Sequence, residues 1–336
     1  MIEVKGLLKY YGERKAAGPL SFSIGKGEIV GLLGLNGAGK TTALRVLACD
    51  LLPSSGTVLV DGMDVVDAPH EVRRRVGYLP ETPPVYVEMT VHEYLLFAAR
   101  LRGLSSAEAE RRASIVEESV QLEDVRDDLI ASLSHGFRQR VGIAQAVVHK
   151  PRLLILDEPI NGLDPVQIVE MRQVLKSLRG EHTIVLSSHI LTEISETCDR
   201  ILVLRAGEIV ASGTEAELSQ HLRRGAQVEL TVRARPDTTA GAPDAILALL
   251  AKVQGVTSVE KMTPRETGAG VHTFRIEATS DVREALCRAL VEARIGLLEL
   301  LPSKRELETI FMRLTGGDVE DHAEDGTPAQ SKEALS

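Results

Sequence analysis

The octapeptide Gly34-Leu35-Asn36-Gly37-Ala38-Gly39-Lys40-Thr41 fits the pattern G-x-x-x-x-G-K-[ST], a loop built to hold phosphate. Gly37 and Gly39 allow backbone N–H groups to turn inward around anionic oxygens with no Cβ in the way. Lys40 adds a full positive charge, and Thr41 offers a hydroxyl suited to Mg²⁺. The flanks agree with this reading. Glu28 to Leu33 (EIVGLL) has the texture of a buried strand, and Thr41 to Ala48 (TTALRVLA) has helical spacing, so a helix N-terminus faces the same phosphates. Gly34, Asn36, Gly37, Ala38, Gly39, Lys40, Thr41 and Thr42 are therefore the candidate nucleotide-binding residues.

Farther along, Leu153-Leu154-Ile155-Leu156-Asp157-Glu158-Pro159 is an apolar strand that ends in two adjacent carboxylates. Burying such a strand end is costly unless something cationic sits there. Asp157 is expected to hold Mg²⁺ or its water shell, with Glu158 polarising an attacking water.

Around these two motifs the first 220 residues alternate apolar strands with helical patterns, which predicts an α/β fold with a mostly parallel sheet. Thr183 to Leu186 and Ile201 to Leu204 read as further strands, the latter followed by a turn at Ala206-Gly207-Glu208. Residues 89–148 change to helical texture. Thr90 and Glu93 form a capping box, the run ends at Gly103, and Ser105 or Ser106 starts a second helix to about Val120. A helical subdomain is thus inserted in a cassette spanning residues 1–220. Residues 226–315 read as βαββαβ, the order of a ferredoxin-like α+β domain, followed by a helix over Arg305–Leu314. Leu286, Leu290 and Ala293 form the apolar face of its second helix. Residues 316–336 form an acidic tail with almost no apolar content, expected to be disordered.

The chain has 336 residues and a formal net charge of −9, with 3% aromatic residues and no Trp. This disfavours a nucleic-acid binder, which needs a concentrated basic surface or bases stacked on aromatics. No apolar run approaches the ~20 residues of a membrane span, and the N-terminus lacks a signal-peptide stretch. The cysteines Cys49, Cys198 and Cys287 are odd in number and widely spaced, as in a reducing, cytoplasmic setting. The histidines His149, His182 and His272 have no ligand-like spacing, so no metal role is expected of them.

Between the phosphate loop and the acidic strand end stands Leu133-Ser134-His135-Gly136-Phe137-Arg138-Gln139-Arg140. It resembles the LSGGQ-x-Q-R signature of ATP-binding cassette (ABC) ATPases. Other motifs of that family follow in order: Tyr11 near the start, Gly77-Tyr78-Leu79-Pro80-Glu81 at the Q-loop, Asn161-Gly162-Leu163-Asp164 at the D-loop and Ser187-Ser188-His189 at the switch histidine. The resemblance covers residues 1–220. It implies a P-loop NTPase cassette that binds ATP with Mg²⁺, the metal at Thr41, Asp157 and Glu81. Tyr11 would stack on adenine, with Tyr10 as the alternative, and His189 would contact the γ-phosphate beside Glu158. It also implies that Ser134, His135, Gly136 and Phe137 act in trans on the ATP of a second cassette, identical or homologous. Ser134 is well suited to cap that helix.

Three positions depart from the family pattern: Glu81 replaces the Q-loop glutamine, His135 the first signature glycine and Phe137 the signature glutamine. The YLPE and RQRVG sequences resemble the exporter branch that includes gliding-motility-type and drug- or polysaccharide-export subunits. That branch implies a separate polytopic transmembrane partner and a peripheral place on the inner membrane face. Arg73, Arg74 and Arg75 either face that partner or lipid, or form a solvated helix face. Rival readings are a soluble ABC ATPase acting on ribosomes or DNA, and a non-catalytic regulatory cassette.

Overall fold

In the computed structural model, residues 1–222, 226–234, 242–262 and 270–302 are described. The chain begins with β1 (Ile2–Tyr11), β2 (Arg14–Ile24) and β3 (Ile29–Leu33), which lead through the glycine loop into α1 (Lys40–Leu47). Next come β4 (Ser55–Val60), β5 (Met63–Asp64), α2 (Pro69–Arg73) and β6 (Val76–Leu79). The helical stretch holds α3 (Val91–Leu101), α4 (Ser106–Ser119) and α5 (His135–Val147). After β7 (Leu153–Leu156), α6 (Pro165–Ser177) and β8 (Thr183–Ser188), α7 (Leu191–Ser195) leads to the hairpin of β9 (Arg200–Arg205) and β10 (Glu208–Gly213), and α8 (Glu215–Leu222) follows.

The central sheet has the order β10-β9-β3-β8-β7-β6, parallel except at the β10 edge. Its parallel strands β3, β7 and β8 are buried along their whole length because both faces are covered. Alternate residues of one strand enter opposite cores. Leu154 and Leu156 pack with the helical insert, whereas Leu153 and Ile155 pack on the side of α1. That second core is closed by an antiparallel sheet of order β2-β1-β4-β5.

The expected caps are present. Thr90 and Glu93 make both arms of a capping box at α3, Ser105 caps α4, and Ser134 caps α5 by accepting from Phe137 N. The three arginines before β6 have internal partners. Arg73 donates to Cys49 O at 2.8 Å, Arg74 pairs with Glu71, and Arg75 lies 3.9 Å from Asp61.

The C-terminal segment follows as β11 (Ala226–Arg233), α9 (Pro243–Leu250), β12 (Val256–Met262), β13 (Val271–Ala278), α10 (Arg283–Glu292) and β14 (Gly296–Pro302). Its sheet order, β12-β13-β11-β14 with every pair antiparallel, is the ferredoxin-like arrangement. Phe274, Ile276, Leu230, Leu286 and Leu290 form its own core, with Ala293 packed against it. The helix expected over Arg305–Leu314 and the tail 316–336 lie outside the described residues. No described helix is long and apolar enough to cross a membrane.

Candidate active site

Strand β3 delivers the chain into the loop, and two glycines set its shape. Gly37 has φ 81° and Gly39 φ 99°, both left-handed conformations that L side chains rarely adopt. A Cβ on Gly39 would also stand 2.7 Å from Ala16 O. The loop opens on a cavity of about 490 Å³ lined by Asn36, Gly37, Ala38, Gly39, Lys40, Thr41 and Thr42. Gly34 does not line it. Its carbonyl instead accepts from Lys40 Nζ at 2.7 Å, and a Cβ there would meet Leu204 O at 2.6 Å.

Lys40 is 5% exposed, and its ammonium lies 3.1 Å from Glu158 Oε1. The other oxygen, Oε2, accepts from His189 Nδ1 at 3.0 Å. One carboxylate is thus held between two donors at the wall of the cavity, which Glu158 and His189 both line. Glu158 itself has φ 49°, a strained backbone for a residue with a Cβ. Its N–H donates to Ser187 Oγ at 2.9 Å.

Asp157 is almost fully buried at the end of β7. Its Oδ1 accepts from Ser187 Oγ at 2.6 Å and Thr41 Oγ1 at 3.2 Å, while Oδ2 has no hydrogen-bond partner. Burial raises its pKa; the Ser187 and Thr41 bonds oppose that, and the charges of Glu158 and Glu81 add to it. An orphaned carboxylate oxygen beside a threonine hydroxyl fits Mg²⁺, which takes one or two protein oxygens and completes its shell with phosphates and water. Glu81, exposed at the end of the β6 loop, lines the same cavity. Among the described residues there is no group of three or more His, Cys, Asp or Glu that could hold a metal ion.

Of the two tyrosines, Tyr11 lines the cavity and Tyr10 does not. Arg14, Lys15, Ala16 and Asn161 line it too. Arg14 sits opposite Tyr11 in the β1–β2 register, across the turn at Gly12 and Glu13. Ser187, which joins Asp157 to Glu158, lies in the switch motif but stood out only through its neighbour His189.

None of Ser134, His135, Gly136, Phe137 or Asp164 lines this cavity. His135 Nε2 donates to Asn161 O at 3.1 Å. A Cβ on Gly136 would stand 2.9 Å from the far end of the flexible Gln167 side chain. Phe137 packs on the core and under the Arg140 guanidinium, 5.5 Å from its ring centroid. Arg140 in turn bonds Glu170 and Gln121, so the phenyl ring that replaces glutamine helps anchor α5. Asp164 caps α6, accepting from Val166 N and Gln167 N at 3.0 and 2.9 Å.

Residues 17–161 match the family described as ABC transporter. The linearmycin resistance ATP-binding protein LnrL of Bacillus subtilis (strain 168) is 33% identical over 322 residues, covering 96% of this chain and 100% of LnrL. The chain belongs to the ABC transporter family of ATP-binding proteins. The daunorubicin/doxorubicin resistance ATP-binding protein DrrA of Streptomyces peucetius is 34% identical, over 99% of this chain and 98% of its own. Among solved structures, a dimeric post-hydrolysis state of an ATP-binding cassette with ADP and Pi has a TM-score of 0.59 at 26% identity. It covers 64% of this chain and 98% of that one. This ABC protein is therefore an ATPase, the ATP-binding subunit of an ABC transporter. The relatives favour transport over the ribosome- or DNA-acting and regulatory readings.

Proposed function

We propose that this subunit works as half of a nucleotide-sandwich dimer, and the division of its motifs carries that reading. The phosphate loop, Glu158 and His189 share one cavity, while the signature turn at Ser134–Phe137 stands outside it at the start of α5. A helix start with free N–H groups is suited to an anion, so the signature turn of one copy would meet the γ-phosphate held by another.

In the reading we favour, ATP phosphates enter the glycine loop and Lys40 exchanges the Glu158 carboxylate for phosphate oxygens. Thr41 and Asp157, with Glu81 on the same cavity, would hold Mg²⁺, which would supply positive charge against the phosphates. Glu158, released from Lys40 but still bonded to His189, polarises the attacking water. Tyr11 stacks on adenine. Closure and reopening of the dimer then drive a separate polytopic transmembrane subunit, which places this chain on the cytoplasmic face of the membrane. Residues 1–220 form the ATPase domain with its insert at 89–148; residues 226–315 form an accessory domain and 316–336 an acidic tail. The names of LnrL and DrrA point to antibiotic-like small molecules as the cargo class.

The test is sedimentation of the Glu158→Gln chain. Mg·ATP should convert it from monomer to a stable dimer, while ADP should not. A variant that stays monomeric under saturating Mg·ATP, with and without its membrane partner, would overturn the sandwich.

A further inference from the structure

We infer that Glu193 is a positioning residue for the ATPase reaction, fixing the turn that aims His189 at Glu158. It is a buried carboxylate that the mechanism above does not use. Glu193 is 4% exposed, on the short helix α7, four residues beyond the switch histidine. Its Oε2 accepts from Ser188 Oγ at 2.6 Å, and the same hydroxyl oxygen accepts from Ile190 N at 2.9 Å. The relay therefore grips His189 from both sides, through the residue before it and the amide after it. Ser188 is 2% exposed, so water does not compete for these bonds. The backbone carbonyl of Glu193 is also tied, accepting from Thr197 Oγ1 at 2.7 Å.

Placing a carboxylate here is unfavourable in itself. Burial raises the Glu193 pKa, the Ser188 hydrogen bond pulls against that, the Glu158 charge pushes it up further, and His189 and Arg172 pull it down. A glutamine could accept the same hydroxyl proton without the charge. The result of the arrangement is geometric: His189 Nδ1 stands 3.0 Å from Glu158 Oε2, within the tolerance on which an active site depends. Relaxing the turn would leave ATP bound in the glycine loop but let the imidazole drift from Glu158.

The inference rests on the role given to His189, and the experiment separates the two. In the full chain, Glu193→Ala should lower kcat about tenfold or more while ATP affinity stays within about twofold, and Glu193→Gln, which still accepts from Ser188, should recover most of the turnover. In a His189→Ala background, adding Glu193→Ala should change residual turnover by less than about twofold, because the histidine it positions is gone. The ¹⁵N resonances of the His189 ring should move in Glu193→Ala while those of His149 and His182 stay in place. Should Glu193→Ala fail to fold, Ser188→Ala breaks the same relay and carries the same expectations. An equal loss in both backgrounds, or unmoved His189 resonances beside an inactive His189→Ala, would overturn the inference alone. Wild-type turnover in His189→Ala would overturn the role of His189 and the inference with it.

Discussion

Burial shifts the pKa values of several polar residues in this chain, and this has a consequence for stability away from the active site. His149 follows α5, where its Nε2–H donates to Val76 O at 3.2 Å while Nδ1 is buried without a partner. Burial first, and then the charge of Arg102, lower its pKa from 6.5 to about 4. Between those values the unfolded chain takes up a proton that the folded chain refuses, so stability is complete above 6.5 and falls as the pH drops toward 4. His182, also buried, has its pKa lowered with the same sign. Asp157 and Glu193 act in the opposite direction, since their pKa values are raised. The comparison that isolates His149 is therefore between wild type and His149→Gln, which keeps a donor for Val76. Urea unfolding at pH 7 and pH 5 should give the variant about 2 kcal/mol less acid-induced loss, since each pKa unit is worth about 1.4 kcal/mol. Identical losses in the two proteins would contradict a buried neutral imidazole.

At the scale of elements, Asp164 allows capping to be tested apart from any part in the dimer. Its carboxylate caps α6, and Gln167 completes the capping box, while the same residue closes the motif matched to the family's D-loop. Removing the cap by Asp164→Ala should cost about 1 kcal/mol of stability, and Asp164→Ser should restore most of it. If the loop also serves the dimer, ATPase activity should stay low in Asp164→Ser although its melting temperature recovers. Recovery of both together would make the residue a cap and nothing more. Caps of this kind are why α3, α4 and α5 were legible from Thr90, Ser105 and Ser134, each a hydroxyl three residues ahead of the amide it accepts. The parallel strands were legible because burial on both faces leaves an uninterrupted apolar run. The sheet of β1, β2, β4 and β5 was not. In β1, Ile2 and Val4 alternate correctly, but register shifts between Val4 and Leu7 and again near Lys9 break the period of two. The site divides in the same way. Gly37, Lys40, Asp157 and Glu158 lie in contiguous motifs, whereas Arg14 comes to the cavity through the β1–β2 pairing and Glu193 is linked to the His189 turn through a hydroxyl relay.

For the whole molecule, the arrangement in trans makes a prediction that no single-chain mechanism shares. Each chain has one phosphate loop and one signature turn, and the signature residues lie off its own cavity. In a two-fold dimer each ATP site would then combine the loop of one copy with the signature of the other. Lys40→Ala removes the buried ammonium from the phosphate site, and Ser134→Glu places a like charge where the γ-phosphate should arrive; each variant alone should be inactive. In a mixed dimer one site inherits both lesions and the other inherits neither. Equal mixing at random should make half of the dimers mixed, each with one intact site, so about a quarter of wild-type turnover should return if the sites act independently. The accessory sheet and its core come from residues 226–302 and hold neither motif, so they should not alter this count. Steady-state ATPase assays across mixing ratios would give a curve with its maximum at equal amounts. A flat line at the level of the inactive parents would mean either that the two motifs serve the same chain or that both intact sites must fire together. Ser134→Glu paired with wild type separates these cases, because obligate coupling predicts that the variant poisons wild-type activity and a single-chain site predicts simple dilution.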